Sequence, residues 1–596
     1  MPPFSKVLVS NRGEIAIRIF RTLRELGIDP VAVYSEADRD SLHVRMAPEA
    51  YLLGAGPAAE SYLNQERLLD AARRSGAEAV HPGYGFLAEN AGFARAVAGA
   101  GLVWIGPPPE AIEAMGSKVA ARETMRAAGV PIVPGTTEAI TSAGDVRRLG
   151  DELGWPLAIK ASAGGGGKGL KVVRDPDDAE RSFEAARREG EAYFSDAAVY
   201  VERYLENPRH VEVQVLADEH GHVIHLGERD CTIQRRHQKL VEETPSPAVD
   251  DELRERIGQI AADAARAVGY RNAGTIEGLL DTEGNYYFLE MNTRIQVEHT
   301  VTELVTGLDL VREQVLIAAG EPLSLRQEQV RLNGHAIECR INAEDPATGF
   351  LPTPGRITRY REPAGPGVRV DSGVAAGSEV VGLYDPLVAK LCVHGVDREH
   401  ARRRMLRALE EYVIEGVTTL VGFHRALLEH TCFVGGETCH GVVESEELAE
   451  RAQQLSHETT TLAAHSDGAA SARVRDRLVE AEVEGRRFAV RLLVPEPPHA
   501  ELARRRRERV SSHAHHTAAR DAIVSPMQGT VLAVEVSEGD EVEAGQVICV
   551  VEAMKMENEV TAPRSGIVSE LSVAAGEPIT TGQVICVVAQ EADGGA

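Results

Sequence analysis

Cysteine is scarce in this chain: Cys231, Cys339, Cys392, Cys432, Cys439, Cys549 and Cys586 are spread over 596 positions, an odd number with no C-x-x-C pair. That spacing excludes a disulfide scaffold and a paired-thiol motif, and it fits a reducing compartment. No run of about 18 apolar residues occurs, so no membrane-spanning helix is expected. Val7-Leu8-Val9 is too short for a signal-peptide core and charge soon follows, which makes the expected location cytoplasmic. Positive charge is in deficit too: 64 Lys and Arg stand against 91 Asp and Glu, a formal charge of -27. A general binder of nucleic acid or anionic membrane is thereby disfavoured. The first loop, Asn11-Arg12-Gly13-Glu14, also lacks G-x-G-x-x-G spacing, so a dinucleotide fingerprint is not supported.

At about 150 residues per domain, the chain should make about four domains. Hydrophobic residues at 43% and charged ones at 26% are globular proportions, which excludes disorder throughout. Residues 6–10 (KVLVS) read as a buried strand. Ile15, Ile19, Leu23 and Leu26 follow at helical spacing, Gly27 stops the helix, and 31–35 (VAVYS) is the next strand. This βαβ unit predicts a doubly wound parallel sheet, and mixed α and β continues to about 445. Beyond it come one strand pair near 479–494, with Gly485 at its turn, a proline cluster and the run Arg504–Arg507, which reads as solvated linker charge. His513, His515 and His516 have no companions at ligand spacing, so no metal site is expected there.

Near the C-terminus the sequence repeats. Gly545-Gln546-Val547-Ile548-Cys549-Val550-Val551 recurs 37 positions later as Gly582-Gln583-Val584-Ile585-Cys586-Val587-Val588. Two all-β halves of this kind pair into a small flattened barrel or sandwich, because neither covers its own apolar face. Between them stands Glu552-Ala553-Met554-Lys555-Met556-Glu557. A lysine at such a hairpin tip is held away from the body and open to a modifying enzyme; alone, it could equally be an ordinary exposed lysine.

Two further segments carry chemistry. Residues 289–298 (LEMNTRIQVE), read as a strand, put Glu290, Asn292, Arg294, Gln296 and Glu298 on one face and Met291, Ile295 and Val297 on the other. That face could bind a hard cation and hold an anion on its arginine, or simply be solvated; Glu277, on the preceding strand, could add a Mg²⁺ carboxylate. The run Ala163-Gly164-Gly165-Gly166-Gly167-Lys168-Gly169 lies between strand-like 157–160 and 170–173. It is no Walker A loop, since a strand follows and no Gly-Lys-Ser/Thr occurs. Backbone N–H groups of Gly165, Gly166 and Gly167 can still close over phosphates, although the run alone could be a flexible turn.

The repeat with its A-M-K-M tip resembles the biotinyl carrier domain, which makes Lys555 the biotinylated residue. Over about 5–445 the chain resembles the ATP-grasp fold of biotin carboxylases. The motifs that carry this are Ser10-Asn11-Arg12-Gly13-Glu14-Ile15-Ala16, the run 81–90 (HPGYGFLAEN), Glu228-Arg229-Asp230-Cys231, 234–239 (QRRHQK), 290–298 and 338–344 (ECRINAE). The resemblance implies an α/β carboxylase with a doubly wound N-terminal subdomain at 1–118, an ATP-grasp domain at 119–325 with its lid at about 131–204, and a C-terminal subdomain at 326–445. A small β/helical element at 446–496, a flexible linker at 497–521 and the all-β carrier at 522–590 complete the expected order.

Residue by residue, the resemblance implies that Lys118 and Lys160 hold ATP phosphates, Glu202 and Leu205 lie at the adenine edge, His237 lies near the ribose, and His210 and Gln234 line the same pocket. Glu277, Glu290 and Asn292 would handle Mg²⁺ (or Mn²⁺). Lys239, Arg294, Gln296 and Val297 would cradle bicarbonate, Glu298 would be its general base, and Arg340 would face the biotin ureido oxygen. Cys231 reads as a packed thiol. Two departures stand out: Ala163 where relatives begin a five-glycine run, and Thr300 where proline usually follows the histidine.

The 75 residues of 446–520 are too few for a carboxyltransferase, so a separate β subunit is expected, with a biotin protein ligase to load Lys555 and paired carboxylase units. The architecture looks like the α subunit of acyl-CoA carboxylases acting on acetyl-CoA or propionyl-CoA. A 3-methylcrotonyl-CoA or pyruvate carboxylase subunit stays open, as does a non-enzymatic biotinylated carrier.

Overall fold

The computed structural model describes residues 2–116, 118–136, 139–161, 170–194, 199–466, 474–483, 486–495, 522–553 and 556–589. The expected phosphate loop at Gly165, Gly166 and Gly167, the departure at Ala163 and the expected biotin site at Lys555 lie outside these residues, as does the side chain of Lys118. The chain divides into two compact units, Met1–His457 and Glu458–Ala596.

The first unit opens with five parallel strands, β1 (Lys6–Val9), β2 (Asp29–Ser35), β3 (Glu49–Gly54), β4 (Ala79–His81) and β5 (Val103–Trp104), in the order β3-β2-β1-β4-β5. Val7, Leu8 and Val9 are all fully buried, as a central strand covered on both faces requires. Helix α1 (Gly13–Glu25) buries Ile15, Ile19 and Leu23 on this sheet. It stops at Gly27, whose φ of 73° lets the Ile28 N–H reach back to the Leu23 carbonyl. The expected βαβ opening is present.

A smaller layer holds β6 (Leu157–Ala161), β7 (Leu170–Val173) and β8 (Val199–Arg203), order β7-β6-β8, under α2 (Ala143–Leu153) and α3 (Ala179–Phe194), with a core of its own. Ser142 and Asp145 form a capping box that starts α2. The central sheet is antiparallel and eight-stranded: β9 (Arg209–Ala217), β10 (Val223–Arg235), β11 (Gln238–Thr244), β12 (Asn272–Leu280), β13 (Tyr286–Asn292), β14 (His335–Asn342), β15 (Val368–Ser372) and β16 (Leu387–Gly395). Their order is β13-β12-β9-β10-β11-β14-β16-β15, and helix α4 (His299–Thr306) lies against β10, β11, β14 and β16.

The structure corrects two expectations. The strand read over 289–298 ends at Asn292. The Thr293 N–H leaves the ladder for the Glu89 carboxylate, and Glu298 becomes the N-cap residue of α4. Nor are all cysteines free: Cys432 and Cys439 form a disulfide, because a short helix, Thr431–Val434, and Gly435-Gly436 turn the chain back until the two Cα atoms are 5.5 Å apart.

In the second unit β17 (Val474–Val483) and β18 (Arg486–Pro495) pair antiparallel, β17 starting five residues before the strand read from sequence. The repeat follows as β19 (Ala522–Val524), β20 (Gly529–Val534), β21 (Glu541–Val542), β22 (Val547–Ala553), β23 (Met556–Thr561), β24 (Gly566–Ser569), β25 (Pro578–Ile579) and β26 (Val584–Ala589). These make two four-stranded sheets, β19-β26-β24-β21 and β23-β22-β20-β25. Each sheet takes its inner pair from one half and its edge strands from the other, so the halves interlock. Ile548, Val551, Ile585 and Val588 are buried between them.

Candidate active site

Strand alternation and one loop bring most of the expected residues together. His210 and Glu212 share a face of β9, Lys239 is the second residue of β11, Glu277 lies on β12 opposite Glu290 of β13, and Arg340 lies on β14. The loop 293–298 returns over the sheet and adds Arg294, Gln296 and Glu298.

Lys239 Nζ donates to Glu212 Oε2 at 2.5 Å, Glu298 Oε1 at 2.7 Å and Glu277 Oε1 at 2.9 Å. Burial lowers the ammonium's pKa, but the three carboxylates outweigh it and raise the group well above its ordinary range. Glu298 Oε2 accepts from Arg340 at 2.8 Å, while Arg340 Nε donates to Glu242 Oε1 at 2.5 Å. Burial pushes the Glu298 carboxyl up; Lys239, Arg340 and Arg229 override it and hold the group well below the usual carboxylate range.

Glu277 is the most engaged carboxylate of the cluster. Its Oε1 also accepts from Gln296 at 2.6 Å and Asn292 at 2.8 Å, and its Oε2 lies 2.7 Å from His210 Nε2. Burial lowers the His210 pKa, and Glu277 reverses that to a net rise. Arg294 donates to Glu89 Oε2 at 2.9 Å and to Asn292 Oδ1 at 2.6 Å. The Val297 carbonyl accepts from the buried Lys390 at 2.8 Å. Gln234 turns its amide to the Cys231 carbonyl, and His237 sits exposed at the β10–β11 turn with φ 65°. Cys231 is a buried thiol, its pKa pushed well up by burial. A second cluster occupies the smaller layer, where Lys160 of β6 ion-pairs with Glu202 of β8, which also takes Arg122 at 3.1 Å; Leu205 is buried just beyond.

Sequence reasoning gives no role to four residues of the network: Glu89, Glu212, Arg229 and Glu242. Arg229 is fully buried and spends every N–H, on Glu212 (2.6 Å), Gln214 (2.8 Å), Thr302 (3.0 Å), Thr275 (3.1 Å) and Gln296 (2.7 Å). It thereby fixes the two side chains that orient Lys239 and Glu277. Period two from His210 would have found Glu212; Arg229 lies in the Glu228–Cys231 motif, but its partners come from four separate segments.

The arrangement is a largely buried, preorganised cluster of alternating charge, with carboxylates able to hold a cation or take a proton and three cations able to hold an anion. Among the described residues no helix is long and apolar enough to cross a membrane.

Comparison with known proteins identifies the family. Residues 3–112 match the family model described as biotin carboxylase, N-terminal domain; 117–326 match carbamoyl-phosphate synthase L chain, ATP binding domain; 338–445 match biotin carboxylase C-terminal domain; and 521–588 match biotin-requiring enzyme. A pyruvate carboxylase subunit of Methanothermobacter thermautotrophicus is 53% identical over 434 residues, 73% of this chain and 88% of that protein. The biotin-dependent acyl-coenzyme A carboxylase alpha3 subunit of Mycobacterium leprae is 45% identical over 579 residues, 94% of each chain. The biotin carboxylase domain dimer of Hydrogenobacter thermophilus 2-oxoglutarate carboxylase, solved with MgADP, ADP and bicarbonate, superposes with a TM-score of 0.69 at 48% identity over 74% of this chain and 99% of that one.

Proposed function

Because this chain belongs to the biotin carboxylases and carries a domain of the biotin-requiring kind, we propose that it carboxylates biotin held on its own Lys555 in an ATP- and bicarbonate-dependent reaction. The observation that carries this reading is Glu298 suspended between Lys239 and Arg340, with Arg294 beside the same loop.

Bicarbonate bound by Lys239, Arg294, Gln296 and the Val297 backbone draws those cations onto itself. Relieved of Lys239, Glu298 becomes basic enough to take the bicarbonate proton as the oxygen attacks the γ-phosphate of ATP. Lys118, Lys160 and the glycine loop hold the phosphates, with Glu202, Leu205, His210, Gln234 and His237 around the rest of the nucleotide. Glu277 and Glu290 face each other across the β12–β13 ladder with Asn292 next along, an all-oxygen set that suits Mg²⁺ (or Mn²⁺). Bound there, the ion supplies charge against the transferring phosphoryl oxygens. The mixed anhydride so formed releases CO₂ and phosphate in the closed pocket, and the phosphate is basic enough to accept the ureido proton. Biotin supplies the nitrogen that takes CO₂, while Arg340 stabilises negative charge growing on the ureido oxygen.

A separate carboxyltransferase β subunit then uses the carboxyl group, and acetyl-CoA or propionyl-CoA is the proposed acceptor. The Mycobacterium leprae relative supports this, since its match runs through the carrier segment. The Methanothermobacter relative favours pyruvate as the alternative. A biotin protein ligase loads Lys555, and the carboxylase units pair as in the Hydrogenobacter dimer.

ADP release by the full chain is the test. Free biotin plus bicarbonate should stimulate it, and Glu298→Gln should cut the biotin-dependent rate about 10²- to 10⁴-fold without loss of fold. Near-normal turnover in that variant removes Glu298 from its role; no stimulation in the unaltered protein leaves only a carrier.

A further inference from the structure

Behind Arg340 the sheet holds a row of side chains that the reaction does not use. Glu242 of β11 stands opposite Glu338 of β14, which stands opposite Cys392 of β16. Directly opposed residues point to one face with Cβ atoms about 5 Å apart. Both glutamates are fully buried. Each has one oxygen engaged and one without a hydrogen-bond partner: Glu242 Oε1 takes Arg340 Nε, and Glu338 Oε2 takes the Thr300 hydroxyl and lies 3.3 Å from Cys392 Sγ, leaving Glu242 Oε2 and Glu338 Oε1 bare.

Two bare carboxylate oxygens on opposed, fully buried residues of one sheet face are doubly unfavourable, through desolvation and through like-charge repulsion. A single proton removes both faults. We propose that Glu242 and Glu338 share one proton between Oε2 and Oε1, forming a carboxyl–carboxylate pair that positions Arg340 and keeps its charge available to substrate. With the proton, the pair carries one negative charge instead of two, so Arg340 is not over-neutralised by Glu242 and Glu298 together.

The surrounding groups fit. Arg340 and Glu298 face Glu242, Cys231 and Cys339 are buried neutral thiols beside it, and Lys390, Glu14 and Cys392 lie on the Glu338 side. Burial pushes Glu242 up to about 8, against the lowering by Arg340 and with a further rise from Glu338 and Glu298. Burial likewise raises Glu338 despite Lys390 and Thr300. Thr300 gains a purpose here: a proline at that position has no hydroxyl to anchor Glu338.

The idea rests on the proposed role of Arg340, so the experiment has one arm that needs no turnover. Glu338→Gln and Glu242→Gln are both matched replacements: in each, the amide oxygen replaces the engaged oxygen and its NH₂ faces the surviving carboxylate. Infrared spectra of the full chain at pH 7 should show a protonated-carboxyl stretch that both variants lose, and it should be the same band. Its persistence in either variant, or loss of a different band from each, overturns the shared proton. In the second arm, biotin-dependent ADP release by the unaltered protein should fall above pH 8, since about one pair in ten keeps its proton one unit above its pKa. The ratio of rates at pH 9 and pH 7 should rise at least about threefold in Glu338→Gln, which cannot lose a proton there. An unchanged profile in both variants overturns the positioning role. If the unaltered protein shows no biotin-dependent turnover at all, the functional reading fails while the infrared arm still decides the pair.

Discussion

In the carboxylase unit Arg229, Glu212, Glu242, Glu338 and Lys390 have no exposed surface at all, whereas in the carrier Glu535, Glu538, Glu541, Glu543, Glu559 and Glu577 all lie exposed around an apolar core. The contrast follows from what each unit must do. A pocket that moves protons and phosphoryl groups needs charges held in fixed positions away from water, where they act strongly but are costly to bury. Under the proposed reading the carrier has only to present Lys555, so two copies of a short apolar half suffice. Beside its apolar cores, the first unit therefore depends on how its buried charges answer one another, and the second depends on volume.

Arg229→Met tests the first half of that contrast hardest. The substitution removes five donors and leaves the buried Glu212 carboxylate to be answered by Lys239, which Glu277 and Glu298 also share, a loss expected to cost about 3–5 kcal/mol. Hydrogen exchange on the full chain should show it as lost protection across β9, β10 and β12, with the carrier amides as internal reference. Unchanged protection in those strands would mean that the buried charges are not what holds the unit together.

The second half is tested by the repeat. Ile548 and Ile585 are equivalent positions 37 apart and both fully buried. Ile548→Ala and Ile585→Ala should each cost the carrier about 2–5 kcal/mol and agree within about 1 kcal/mol, read by exchange of the β22 and β26 amides. A large inequality would mean that one half carries the fold and the other merely covers it.

The same contrast explains what could be read from sequence. The carrier was legible because its signals are local: a 37-residue repeat, alternating apolar positions and turn glycines. The βαβ opening was legible for the same reason. In the pocket, alternation identified Glu290 and Asn292, and the family motifs supplied Lys239 and Arg340. The end of β13 was hidden, because what stops it is Glu89, 204 positions away. The roles of Arg229 and Glu242 were hidden likewise, since a buried charge is defined by partners from other strands and not by its neighbours in the chain. The Cys432–Cys439 bridge depends on a turn whose closure no spacing rule announces.

The smallest expected effect is in pH. Burial pushes Glu14 and Glu344 up to about 7 and Glu242 up to about 8, from an ordinary 4.5. His43 and His424 move the other way, lowered by burial to about 4, so below pH 6.5 the two kinds of group oppose each other. At 6.5 the unfolded histidines are already half neutral and they lose the rest of their charge by about 8, a small opposing gain, while the carboxyls, and His210 with its pKa raised by Glu277, still hold protons in the folded unit. The folded unit then holds protons that the unfolded chain has released, so its stability falls as pH rises to about 8 and levels off beyond. One such proton over 1.5 pH units is worth about 2 kcal/mol. Hydrogen exchange corrected for intrinsic rates should register a loss of that order between pH 6.5 and 8 in β11 and β14, smaller in Glu242→Gln. The carrier, with its carboxylates in water, should stay level across the window; a matching decline there would dissolve the distinction between a unit built on buried charge and one built on apolar volume.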